Sequence, residues 1–418
     1  MQWLTEIFIL ALAGERGIRL WLAARQQAAV RGHRDRVPDL FAQRIALEEQ
    51  QRAADYTLAR LRLGRWATLA ETLIKLGMTL GGGLAAFDAL LRHVPLPEPW
   101  RGTLLVLAVL LFLQLLGLPF SLWRTFRIEA RFGFNRISPA LFAADLIKRL
   151  LFGALLGGAL VLATLACMQR AGAWWWIWAW FVWLAATIAL TWAAPRFIAP
   201  LFNRFAPLTD AVLKERVEAL LVRCGFAAGG GVFVMDGSRR SAHGNAYFTG
   251  IGRNKRIVFF DTLLARIDVD EIIAVLAHEL GHFRLHHVRQ RLGVAVLAVL
   301  AGLALLGWLA RQPGFYGALG VPAASPAMAL LLFLLVVPVF TFYATPLGSW
   351  WSRRQERAAD DFAIEHSDAT RLAGALIKLY RDNAATLTPD PVHSAFYDSH
   401  PPALERITRL RALAARGA

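Results

Sequence analysis

Five stretches of this chain carry no Asp, Glu, Lys or Arg and run long enough to cross a hydrocarbon core: Gly102 to Trp123, Leu150 to Met168, Trp174 to Ala194, Leu292 to Ala310 and Ala323 to Leu347. A crossing takes roughly 20 helical residues. Lipid offers no partner to an unpaired backbone amide, so such stretches must be helices. Composition agrees, with 56% hydrophobic and 18% charged residues among 418, against about 45–50% and about 25% in ordinary soluble domains. A soluble enzyme and a disordered chain are both excluded. The two cysteines, Cys167 in an apolar run and Cys224 in a polar segment, form neither a disulfide framework nor a metal-type pair.

Two weaker spans are expected. Trp66 to Leu91 is apolar except for Glu71, Lys75 and Asp88, and Glu71 and Lys75 stand four apart, where one helix face can pair them. Gln2 to Ala24 holds Glu6, Glu15, Arg16 and Arg19 and lacks the features of a secretory signal peptide. Charges inside a span face protein or water, so these two point to a polar interior. With seven alternating spans, the loops near Pro95, Gln169 and Pro313 share one side, where only Arg92, Arg101, Arg170 and Arg311 of the 46 Lys and Arg lie. The cation-rich side is then cytoplasmic. The net charge of +16 is explained by that asymmetry and by contact with anionic lipid rather than by a nucleic-acid partner. Seven Trp between Trp174 and Trp192 form an interfacial belt and packing surface.

One polar insert interrupts the spans. Leu208 to Cys224 has helical periodicity, and Val232 to Met235, Ala246 to Thr249 and Arg256 to Phe260 read as three strands of a small sheet. Asp268 then opens a helix over Val269 to His287. This helix contains His278, Glu279, Leu280, Gly281 and His282. Residues four apart differ by about 40° around a helix, so both imidazoles can hold one metal ion, and imidazole pairs of this kind suit zinc. Glu279 sits beside the first ligand, placed to take a proton from the attacking water. Two unrelated surface histidines would explain neither the helical setting nor a third ligand.

That third ligand is Glu356, 74 residues beyond His282 and just past the last span, in a helix-forming segment from Trp351 to Asp382. Asp360, at i+4, can hydrogen-bond a liganding imidazole's other nitrogen and fix its tautomer. His243, His286 and His287 lie near the motif but fall outside the metal set, because three ligands satisfy a catalytic zinc. The expected organisation is a membrane region over 1–202, a catalytic insert over 203–291, a transmembrane hairpin over 292–347 and a C-terminal helical segment over 348–418.

These motifs together resemble the type I CAAX prenyl proteases, an integral-membrane gluzincin family. The resemblance rests on HELGHFRLHH, on QERAAD, which holds Glu356 and Asp360, on SAHGNAYFTG with KRIVFFDTLL, on FGFNR near Phe132 and on HPPALERI near the end. It implies an α-helical polytopic membrane protein with about seven transmembrane helices around a water-filled chamber, and a small α+β zinc metalloprotease domain on the cytoplasmic side. It also implies that Asn245, Ala246 and Tyr247 form a substrate-holding strand, and that His400 and Arg406 steady the developing oxyanion. The expected activity is peptide hydrolysis with one Zn2+ per chain and Glu279 as general base. The competing classes, a metal transporter and an inactive scaffold, fit less well: the ligands cluster outside the apolar spans beside a built-in base. The expected substrates are peptides or proteins, membrane-embedded or lipid-modified, with prenylated C-terminal motifs and misfolded membrane polypeptides both open. The Arg- and Ala-rich composition suggests a bacterial inner membrane.

Overall fold

A computed structural model describes residues 2–226, 231–249 and 256–417. Among them, five helices are long and apolar enough to cross a membrane: Trp100–Glu129, Pro139–Arg170, Gly172–Phe202, His287–Leu309 and Pro326–His366. Each overlaps one of the five charge-free stretches. Together they form a bundle whose interior buries Leu105, Val106, Leu165, Leu306 and Leu332. The tryptophan-rich helix Trp175–Ala193 turns Trp178 and Trp192 outward and buries Trp175. Inward, the Trp183 indole donates to Thr164 Oγ1 at 3.1 Å and that of Trp180 to the Val296 carbonyl at 3.1 Å.

The weaker spans differ from expectation. The second is a broken pair, Leu47–Met78 and Gly83–Leu91, bent by 54°. At the break Gly82 adopts φ +78°, and a Cβ on Gly81 or Gly83 would stand 2.8 Å from the Gly77 carbonyl oxygen. Only glycine permits that turn. The first is a helix over Gln2–Gly32 with Glu15 and Arg16 buried. Glu15 accepts from Arg19 at 2.9 Å, and Glu71 is taken by Arg16 at 3.3 Å rather than by Lys75. The two charged helices therefore meet through Arg16 and Glu71.

Beside the bundle lies a second core, centred on a four-stranded sheet of order β1-β2-β4-β3, where β1 is Phe205–Pro207, β2 Val232–Met235, β3 Ala246–Thr249 and β4 Arg256–Phe260. Three strands were anticipated; the short β1, whose Pro207 masks a strand signal, is additional. β2 and β4 run parallel, and β3 pairs antiparallel to β4 with Tyr247 opposite Val258. Ile257 and Phe259 project from the sheet into a core shared with Leu276, Leu280, Ile377 and Leu410. A cavity of about 1250 Å³ lies beside a third buried cluster, which includes Tyr56, Phe134 and Ala384, with Arg19, Arg65, Glu129, Arg240 and His243 also in its walls.

Candidate active site

The helix Val269–Arg284 starts at a reciprocal cap: Asp268 accepts from the Glu271 amide at 2.9 Å, and Glu271 accepts from the Asp268 amide at 3.0 Å. Its apolar residues Ile273, Leu276 and Leu280 bury in the core shared with the sheet, which orients the opposite face. That face carries His278 and His282. Opposite runs the rod Pro326–His366, in which a single 3-10 turn over Phe342–Ala344 joins the apolar span to the helix Thr345–His366. The rod delivers Glu356. Close approach of the two helices depends on Gly281, where a Cβ would stand 3.0 Å from Ala359 Cα and 3.2 Å from Phe362 Cβ.

His278 Nε2 lies 3.4 Å from Glu356 Oε2, His282 Nε2 lies 3.1 Å from Glu356 Oε1, and the two Nε2 atoms are 3.3 Å apart. Donors held about 2.0–2.1 Å from a tetrahedral zinc stand about 3.3 Å from one another, so this triangle has the size the ion needs. A second observation agrees. Glu356 is 3% exposed, and its Oε2 is buried without a hydrogen-bond donor, a state that proteins avoid unless something else satisfies the atom.

Behind the triangle, Asp360 Oδ1 is 2.8 Å from His278 Nδ1. Arg406 clamps that carboxylate in a fork, Nε to Oδ2 at 2.9 Å and Nη2 to Oδ1 at 2.6 Å. Both are buried, at 1% and 5% exposure, and a forked pair suits the planar guanidinium. Arg406 thus stands behind His278, with Nη2 3.7 Å from Glu356 Oε2. His400 is exposed, and its Nε2 lies 3.5 Å from Glu356 Oε2. Glu279 is half-buried, and burial pushes its carboxyl above the ordinary glutamate range while His278 and His282 pull it back.

β3 is an edge strand, so the backbone of Ala246 and Tyr247 on the side away from β4 faces no other strand among the described residues. Asn245 precedes it, with its carbonyl accepting from the Phe260 amide at 3.0 Å. His243 anchors the approach to this strand. It stacks on Phe134 at 4.4 Å, and its Nδ1 lies 3.0 Å from Asn383 Oδ1. Glu129, 3.8 Å from His243 Nε2, accepts from the Tyr56 hydroxyl at 2.8 Å. The FGFNR loop thereby ties the membrane helices to the strand. Sequence reasoning set His243 and His287 aside; their only sequence signal is nearness to motifs, which does not say what they touch.

Comparisons with known proteins bear on the family and the fold. Residues 26–204 match the family model described as CAAX prenyl protease N-terminal, five membrane helices, and residues 207–414 match Peptidase family M48. CAAX prenyl protease 1 homolog of Oryza sativa subsp. japonica is 37% identical over 72% of this chain and 71% of its own length. CAAX prenyl protease 1 of Saccharomyces cerevisiae is 31% identical over 90% and 88%, respectively. The crystal structure of S. mikatae Ste24p superposes with a TM-score of 0.89 at 27% identity, covering 97% of this chain and 98% of that one. These relatives are eukaryotic and lend no support to a bacterial origin. The chain belongs to the CAAX prenyl protease 1 family of M48 peptidases and is a zinc-dependent endopeptidase of membranes.

Proposed function

We propose that His278, His282 and Glu356 hold the zinc, and that this centre cleaves prenylated CAAX polypeptides, the substrates for which the relatives are named. The observation that carries the site assignment is that His278 Nε2, His282 Nε2 and the Glu356 carboxylate lie 3.1–3.4 Å from one another, with the Oε2 of that carboxylate buried and without a hydrogen-bond donor. When bound, zinc supplies Lewis-acid polarisation of the scissile carbonyl and acidifies the attacking water. Glu279 takes that water's proton and returns it to the leaving amine, a task suited to a carboxyl whose burial raises its affinity for protons. Asp360 and Arg406 keep the His278 proton on Nδ1, leaving Nε2 to bind. Arg406 therefore acts through Asp360. His400, exposed beside Glu356, is the group free to donate to a developing oxyanion.

An extended peptide fits along β3 beside Asn245, Ala246 and Tyr247, on the edge away from β4, where no other strand of the described residues pairs. The reading divides the chain into a membrane region over 1–202, a catalytic insert over 203–291, a hairpin over 292–347 and a C-terminal segment over 348–418. It sets seven spans, counting the bent pair and the first helix, around a chamber that includes the cavity of about 1250 Å³. The cation distribution favours a catalytic side facing the cytoplasm.

Glu279→Gln tests the mechanism. The amide is nearly isosteric but cannot act as base, so zinc content stays and hydrolysis falls by at least the roughly 10²–10⁴-fold ascribed to general acid-base catalysis. Activity within a few-fold of the parent would remove the assignment. Cleavage of matched farnesylated and unmodified C-terminal peptides tests the substrate class, with preference for the farnesylated peptide as the expected result.

A further inference from the structure

The span His287–Leu309 begins one residue after His286, which takes the left-handed φ of 60°, and this turn points the first side chain of the span back at the metal site. His287 is 6% exposed, and its Nδ1 lies 3.0 Å from His282 Nδ1. Two imidazole nitrogens at that distance form a hydrogen bond only if one donates and the other accepts. His282 presents Nε2 to His278 and to Glu356, so as a metal ligand it keeps its lone pair there and its proton on Nδ1. We infer that His287 is a positioning residue of the metal centre, accepting the His282 Nδ1–H at its own Nδ1 and so selecting the tautomer that leaves His282 Nε2 free to bind. His287 then carries its proton on Nε2.

The inference rests on the zinc-site reading above. It gives His282 the support that Asp360 gives His278, from a different part of the fold. The same turn also braces the rod: Arg291 donates to Gln355 Oε1 at 2.7 Å, next to Glu356, and Gln355 donates to Gln290 Oε1 at 3.1 Å. The start of one membrane span therefore holds side chains on both zinc-bearing helices, and the order of the metal centre depends on how that span is seated.

Two substitutions separate hydrogen bonding from packing. His287→Phe keeps a ring and removes the acceptor, whereas His287→Asn loses the ring and keeps an acceptor. Zinc affinity of the full chain in detergent, measured by competition with a chelator, is expected to fall about 10–100-fold for Phe and to recover to within about threefold of the parent for Asn. A packing role gives the reverse order. Asn binding no tighter than Phe overturns the inference, and so does a metal-free Phe variant that no longer melts cooperatively, since ring volume would then be conserved without conserving the fold. Glu356→Ala distinguishes the two readings. Zinc lost there but held at parental affinity by His287→Phe removes the His287 role alone; zinc held in both removes the site.

Discussion

A carboxylate buried against two imidazoles is stable only if its charge is answered, and Glu356 Oε2 has no donor of its own. Glu356→Ala should therefore cut zinc from one per chain to a small fraction, read by elemental analysis of the purified protein. Undiminished zinc would point to His400, 3.5 Å from that oxygen, as the third ligand. The Asp360 and Arg406 pair sets a second requirement. Removing one partner of a buried ion pair costs about 3–5 kcal/mol, because the other charge stays buried alone. Arg406→Ala should lower the melting midpoint and release zinc, and Arg406→Lys should recover little, since an ammonium cannot reproduce the forked geometry at 2.6 and 2.9 Å. An Ala variant as stable and as zinc-rich as the parent would show that the pair holds nothing in place.

Elements meet here through small residues. Within the histidine motif Gly281 has no side chain to offer a metal; its role is the approach of the motif helix to the rod, with Ala359 Cα 3.0 Å from where a Cβ would sit. Overpacking such a contact typically costs about 1–3 kcal/mol. Gly281→Val is expected to push the helices apart, drawing Glu356 away from His278 and His282, and so to weaken zinc binding while leaving His278, Glu279, His282 and Glu356 unchanged. Zinc content and melting midpoint both matching the parent would refute the close-packing account. The bend between Met78 and Gly83 is another glycine device. It turns one apolar run into two helices, one of which carries Tyr56 to the cavity wall.

Across the whole molecule, Glu356 and His282 lie 74 residues apart, joined by the spans His287–Leu309 and Pro326–His366. Two crossings return the chain to its starting side, whereas an odd number would leave about 30 Å of hydrocarbon between the two proposed ligands. Single cysteines at Ser238 and Ser399, in a background with Cys167 and Cys224 replaced, should label from the cytoplasmic side, and one at Gly317 from the opposite side. Labelling of Gly317 and Ser399 from a common side would contradict both the span count and the third ligand.

The charge-free spans and the histidine pair were legible because local physics imposes them wherever the chain folds. Lipid forces each long apolar run into a helix, and 100° per residue sets His278 beside His282 without reference to any other segment. The strands β2 to β4 were legible for the same kind of reason, having the alternation and turns that a sheet needs. Other features depended on which distant segments meet. The pairing of Glu71 with Arg16, the addition of β1, the burial of Arg406 behind His278 and the contact of His287 with His282 each join residues that no periodicity relates. A charged side chain in sequence shows only that it needs a partner. Which partner it finds is chosen by the packing of the bundle against the sheet, because the desolvation cost of each buried group is offset only where the assembled elements bring its complement within hydrogen-bond range.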